Sequence, residues 1–489
     1  MYLLMNKNQE IGKFSIEPGA ISENYKIHES ITEKAPFGFY SLENWINQRK
    51  ASKHNEHLKR IMTMCGCEKT EGFLRITHAA SLNDTFWIKS EEESLTWEKV
   101  SLYQNQFNEV ISRLAFEGIG LYGIELSSSS PELSTEGSFR KCWKKEGSEI
   151  FLYKRGQSGG RNTGLEPYGE VMASELAVLL CKNAVSYDLV RLHGEIASKC
   201  RLFTDENIGF IPYSRLGIAH SPNEMLKYYS HIGSEDTFRR MLVLDSLTFN
   251  VDRHAGNHGV FIQNDTLKVI RMADIFDLNL ALLPYVEKDE FEAIGSKLTE
   301  YSPRIGDDFT RIGQIVLTSS IRADLISLKG FRFSFRGDES FPAWRVKILE
   351  EMVNKQIEAL LRKDILYTKD VFIPEVSKKL PEKPTAETNL LEQEQQANFL
   401  IEKLHNCSLH CPTALNIEDN HVDLILFPAE HMEIYIHMGT NEIRVEQDGI
   451  ELSGSEIQAL NPVAVEYYEK VIGIIYNNSS HIKEESENP

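Results

Sequence analysis

The 489-residue sequence contains no run of about 18 uncharged apolar residues, so nothing in it reads as a membrane-spanning helix. Cysteine is scarce and scattered, seven in all, an odd number that excludes a disulfide framework and suits the reduced thiols of a cytoplasmic protein. The opening MYLLMN has neither the basic flank nor the long apolar stretch of a secretory signal, so the expected compartment is the cytoplasm. Basic residues are outnumbered: 53 Lys and Arg against 72 Asp and Glu give a net charge of −19 and a pI near 5.3. A field of that sign repels a polyphosphate backbone, which excludes generic nucleic-acid binding. The common glycine-rich nucleotide signatures are missing too. GQSGGRNTG (156–164) fits neither GxxxxGK[ST] nor a strand-linked GxGxxG and reads as a flexible connection.

What is present is a chain that folds. It is 41% hydrophobic and 26% charged, and its length predicts several domains. The acid is concentrated at the back: 376–489 holds 7 Lys and Arg against 20 Asp and Glu, a net of −13, leaving −6 for the first 375 residues. Between them, 375–396 (EVSKKLPEKPTAETNLLEQEQQ) has linker composition. We therefore expect an N-terminal accessory domain over 1–125, a central domain over 126–375, a linker over 376–396 and a small acidic α+β domain over 397–489.

Hydrophobic spacing predicts strands over 2–5, 11–16 and 150–154, with helices over 42–64, 107–116, 168–181 and 237–249. A hairpin is expected around Asn264 and Asp265, followed by a strand over 266–275. In the last domain, strands are expected over 422–427 and 432–437, with helices at 397–405 and 462–476.

The most informative segment is FNVDRHAGNHGVFIQNDTLKVIRMADIFD (249–277). Asp252 and Asn257 lie five residues apart on a polar turn, and Asp277 follows at a strand end. Phosphoryl transfer uses such a set: a carboxylate to orient and deprotonate a hydroxyl, an amide oxygen on Mg²⁺, and a second carboxylate bridging metal and phosphates. The plainer alternative is that Asp252 and Asn257 are turn formers and His254 a packed polar residue. Upstream, Lys154 ends a strand and Glu170 begins the next helix, an arrangement in which an ammonium reaches phosphates and a carboxylate pairs with it. Both could equally be ordinary surface residues. Gly137, in LSTEGS (133–138), opens a loop whose amides could cradle phosphate.

Taken in order, the Gly137 loop, Lys154, Glu170, DRHAGN (252–257) and IFD (275–277) resemble HipA-type serine/threonine kinases, over roughly residues 75–370. SLNDTFWIK (81–89) and EPYGEVMASELAVLL (166–180) belong to the same resemblance. It implies a bilobal, protein-kinase-like α+β fold with lobes meeting near 210–215. It further implies ATP and Mg²⁺ as cofactors, with Asp252 as catalytic base and Asn257 and Asp277 as Mg²⁺ ligands. Lys154 would contact ATP phosphates, with Glu170 as its ion-pair partner. Ser134 to Lys141 would cover the phosphates, through Gly137, Ser138 and Lys141. Ile211 and Tyr213, in FIPY (210–213), would form the hinge beside adenine, and His254 would brace the catalytic turn. Relatives often act as toxins on a translation-related protein, an aminoacyl-tRNA synthetase among them, and are restrained by a helix-turn-helix antitoxin. For this chain the resemblance implies a protein substrate and such a partner; restraint in cis by the acidic domain, which lies outside the resemblance, is the alternative.

Two departures stand out. Toxin members carry an autophosphorylated serine immediately before the loop glycine, where this chain has Glu136. Relatives carry a glycine within two positions of the metal-binding Asp, where this chain has Leu278 and Asn279. Two other readings stay open: a lipid or small-molecule kinase, and an ATP-binding scaffold without catalysis.

Among weaker signals, HNCSLHC (405–411) lacks the second ligand pair of a zinc site, and Cys65-Gly66-Cys67 lacks a two-residue spacer; both read as structural. Trp87, Trp97 and Trp143 read as packing residues.

Overall fold

The computed structural model describes residues 1–362, apart from segments at 19–22, 30–33, 38, 40, 52–60, 68, 119–128, 136–138, 159–162 and 294–300, and the strands between 413 and 451. Tyr2–Asn6 (β1) and Gln9–Pro18 (β2) form an antiparallel hairpin whose turn places Lys7 at φ 48°. Glu23–Glu29 (β3) flanks β2, and Leu42–Arg49 (α1) and Thr70–Thr77 (α2) precede Phe86–Ser90 (β4), which closes the sheet in the order β3-β2-β1-β4. Leu4, Ile11, Phe14 and Ile88 share one core with Trp45, Ile46 and Phe73 of the helices, which is why their apolar positions recur at strand and helix spacing respectively.

The SLNDTFWIK segment has a structural reason. Asp84 accepts the N–H of Phe86 at 2.9 Å and pairs with the buried Arg49, which donates to the carbonyls of Ala79 (2.8 Å) and Phe86 (3.2 Å). The Asp84 carboxylate thus starts β4 and neutralises a guanidinium inside the first core.

Glu109–Glu117 (α3) starts on the Asn108 side chain, which accepts two backbone N–H groups, and stops at Gly118 with φ 77°. It packs on a four-stranded sheet of Lys141–Glu146 (β5), Glu149–Arg155 (β6), Tyr187–Leu192 (β7) and Glu195–Arg201 (β8), in the order β5-β6-β8-β7. Between β6 and β7 runs Glu166–Leu180 (α4). The helix-rich lobe follows. Ile208–Pro212 (β9), Gly259–Gln263 (β10) and Val269–Met272 (β11) form a three-stranded antiparallel sheet with β10 in the middle. Around it lie Pro222–His231 (α5), Glu235–Thr248 (α6), Phe309–Ile315 (α7), Ser319–Ser327 (α8) and Ala343–Leu361 (α9). Every residue of α6 from Phe238 to Thr248 is buried, so this helix is the axis of the large core. The architecture is α+β and bilobal.

The chain divides into two compact units, Met1–Val376 and Ser377–Pro489. Within the first, contacts cross position 125 freely: Trp97 donates its indole N–H to Glu206 at 2.6 Å, and Trp87, Trp97 and Trp143 are buried in one cluster. Cys65 and Cys67 are buried thiols, pushed by burial up to about 11 and about 12, and so are inert. In the second unit, Thr413–Glu418 (β12), His421–Ala429 (β13), Met432–His437 (β14), Ile443–Gln447 (β15) and Ile450–Glu451 (β16) form an antiparallel meander. Leu424 pairs with Ile436 and Leu426 with Ile434, all four buried on one face. The linker, the helices expected at 397–405 and 462–476, and the 405–411 cluster lie outside the described residues.

Replacing Asp84 with Ala leaves Arg49 charged and unpaired in the core. Chemical denaturation should show a loss of about 3–5 kcal/mol; a loss below about 1 kcal/mol would contradict this account of the pair.

Candidate active site

Lys154, on β6, donates to Glu170 Oε1 on α4 at 2.7 Å and to Asp277 Oδ1 at 2.7 Å. Its partners lie 16 and 123 residues away in sequence. All three come from regular elements or their ends: the β6 pleat turns Lys154 inward, α4 carries Glu170 on its buried face, and Asp277 follows β11. Lys154 is 7% exposed and Glu170 0%, and Ser198 on β8 donates to the other Glu170 oxygen at 2.5 Å. Burial alone would lower the Lys154 ammonium; Asp277 and Glu170 reverse that and hold it well above its ordinary value. Burial alone would raise the Asp277 carboxyl; the charge and hydrogen bond of Lys154, with Lys141 and Arg253, hold it below the ordinary range instead. Lys141 on β5 is the cross-strand partner of Lys154, so two ammonium-bearing residues sit side by side.

The second half of the site begins where α6 ends at Phe249, with φ 51°. Asn250 donates to Asp245 Oδ1 at 2.9 Å and its own Oδ1 accepts the N–H of Asp252 at 3.2 Å. Asn257 donates its side-chain N–H to the Asp252 carbonyl at 2.9 Å, which closes the turn. Burial raises the Asp252 carboxyl, His254 lowers it and Asp277 raises it, for a net rise.

Arg253 joins the halves. It is 1% exposed, grips both oxygens of Asp245 (3.0 and 3.1 Å), and donates to the carbonyls of Asn257 and Phe276, each at 2.7 Å. The brace of the turn is therefore Arg253. His254 is exposed, and its Nδ1 accepts only the neighbouring Gly256 N–H at 3.0 Å.

Of the other expected site residues, Gly137 and Ser138 lie outside the described residues. Ile211 and Tyr213 are not brought to the charged cluster. Ile211 pairs with Val260 in the sheet and is 6% exposed; Tyr213 is 0% exposed and packs against Tyr229 and His258. Tyr213 and Ser214 give their backbone N–H groups to His258 and Ala255, at 2.9 and 3.0 Å. Ile211 at the end of β9 and Tyr213 in the short helical turn after it form the floor of the turn, both with side chains in the large core. The sequence reading missed Arg253, Asp245 and Ser198. An arginine directly after the candidate base was the available signal.

Among solved structures, the chain is similar to HipA of the Shewanella oneidensis MR-1 toxin–antitoxin system, in complex with HipB and operator DNA (14% identity, TM-score 0.43, 75% of this chain and 100% of that one). It is also similar to the Helicobacter pylori proinflammatory kinase CtkA (16% identity, TM-score 0.34, 45% of this chain and 92% of that one). No protein-family model and no curated protein matches the sequence.

Arg253→Met should lower stability by about 3–5 kcal/mol, since Asp245 is then left buried and unpaired. Adding Asp245→Leu should recover part of that loss in a denaturation curve. No recovery would show that the two side chains are not coupled.

Proposed function

We propose that this chain is an ATP- and Mg²⁺-dependent serine/threonine protein kinase of HipA type. The observation that carries the reading is the meeting of Lys154 with both Glu170 and Asp277, facing the Asp252–Asn257 turn. In this reading Lys154 and Lys141 meet the nucleotide phosphates, with Gly137 and Ser138 in the covering loop. Asn257 and Asp277 would hold Mg²⁺: an amide and a carboxylate oxygen are hard donors, and that ion takes one or two protein carboxylates and completes its shell with phosphates and water. When bound, the ion neutralises charge developing on the transferred phosphoryl group.

Asp252 orients the acceptor hydroxyl and takes its proton. Its raised carboxyl value makes it a better base than an ordinary aspartate. Asp252 is only half-buried, and His254 and Arg304 beside it are exposed. An acceptor that approaches from solvent suits a protein side chain better than an enclosed small molecule. Incorporation of label into lysate proteins rather than into small molecules distinguishes the two. The motif resemblance supports extending the proposal to restraint by a helix-turn-helix partner.

Asp252→Asn and Asp277→Asn should each cut transfer from [γ-³²P]ATP by at least about a hundred-fold with the fold retained; near-normal transfer by either folded variant rejects the kinase reading. Transfer by the parent protein should rise with pH as Asp252 loses its proton, with an acid-side midpoint above the ordinary aspartate value of about 4. Removing the ring with His254→Gln should move that midpoint further up, because His254 lowers the Asp252 value. A rate profile showing a downward shift would contradict the assignment of Asp252 as base.

A further inference from the structure

Tyr187 stands behind the charged cluster and takes part in none of the steps above. It opens β7 and is 5% exposed. Its hydroxyl accepts the backbone N–H of Asp277 at 3.3 Å, and its ring centre lies 5.6 Å from Lys154 Nζ, within range of an ammonium–π attraction. Its cross-strand partner on β8 is the buried Cys200. Its backbone N–H donates to Ser174 Oγ of α4 at 3.3 Å. Tyr187 is therefore fixed from the sheet and from the helix that carries Glu170.

Asp277 needs such a fixture. Its φ of 57° is a left-handed conformation that crowds the β-carbon of any residue other than glycine. Two residues earlier the same segment is stitched to the lead-in of β7. Ile275 donates to Asn183 at 3.0 Å and accepts from Val185 at 2.9 Å. Tyr187 continues that stitching by one more bond, at the point where the chain turns and the carboxylate is aimed. Burial, with Cys200, Glu170 and Asp277 nearby, keeps the phenol neutral, so the hydroxyl stays able to donate and accept.

We propose that Tyr187 is a positioning residue for Asp277, fixing the backbone at the cation-binding carboxylate while its ring steadies Lys154. The proposal rests on the reading of Asp277 as a Mg²⁺ ligand, and the test separates the two. Tyr187→Phe keeps the ring and removes the acceptor. In the metal-free full-length chain, amide exchange over 272–280, followed by mass spectrometry, should accelerate three- to ten-fold, the effect of one neutral hydrogen bond, while exchange over 238–248 stays unchanged. The Mg²⁺ concentration that half-maximally tightens binding of a fluorescent ATP analogue should rise by a similar factor, with affinity in EDTA unchanged within about two-fold. Unchanged exchange over 272–280 overturns the proposal. Faster exchange with an unchanged Mg²⁺ midpoint also overturns it, leaving Tyr187 a structural anchor only. Faster exchange in a protein whose parent form shows no Mg²⁺-dependent nucleotide binding upholds the positioning and rejects the kinase reading.

Discussion

A single buried ammonium organises this protein. Taking Lys154 out of water costs several kcal/mol, and only close carboxylates offset that cost. Two of them do so here, from α4 and from the segment after β11, so the strand-rich and helix-rich lobes are held to one another at this point. The three charges sum to −1, and Asp252 adds a further negative charge on the side facing solvent. Burial first and then the Asp277 charge raise the Asp252 carboxyl, and because Arg253 is already paired with Asp245, Lys141 leaves one negative charge unanswered. A surplus of negative charge on hard oxygens, beside two lysines, is the electrostatic state that favours a cation together with an anionic phosphate chain over either alone.

Arg253 converts this electrostatic arrangement into a mechanical one. Its guanidinium ties α6, through Asp245, to the Asn257 and Phe276 carbonyls. The planar fork of an arginine can serve a bidentate carboxylate and two further acceptors at once, which the three donors of a lysine cannot do with the same geometry. The turn that carries Asp252 and Asn257 and the segment that carries Asp277 consequently move as one body with the core helix.

Much of this was legible in the sequence, and the exceptions have physical causes. Lys154 and Glu170 stand on elements with clear strand and helix periodicity, so their relative placement follows from local pattern. The 252–257 turn is marked by polar and glycine residues between an apolar helix and an apolar strand. Arg253 was not legible, because a basic residue in a polar turn reads as solvated until its partner is known. That partner, Asp245, is a carboxylate eight residues back on the buried stretch of α6. Ile211 and Tyr213 are tied to the nucleotide only by what the resemblance implies, and their own residue types carry no such signal. The pairing of β9 with β10 fixes which face each residue shows, and pairing is a non-local property. The left-handed conformation of Asp277 was equally hidden, since an aspartate carries no sequence signal of a positive φ.

The first 90 residues also acquire a role that composition could not assign. Asn257 precedes β10 and Asp277 follows β11, so the spacing between these two residues depends on a hairpin that runs out and back. Its tip is held from outside. Asn6 donates to the Asn264 carbonyl at 2.9 Å, Lys7 pairs with Asp265 at 2.6 Å, and Asn264 donates to the Asp205 carbonyl at 3.1 Å. The base of β9 is held as well, by Phe210 N–H on the Asn83 carbonyl at 2.7 Å and Thr204 on the Leu82 carbonyl at 2.5 Å. The SLNDTFWIK segment thus grips the sheet that supports the turn, while β1 grips the far end of the hairpin. A two-stranded hairpin is marginal by itself in water. Clamped at the tip and flanked by β9, it becomes a rigid spacer, and the N-terminal sheet is part of what sets the distance between the two candidate ligands.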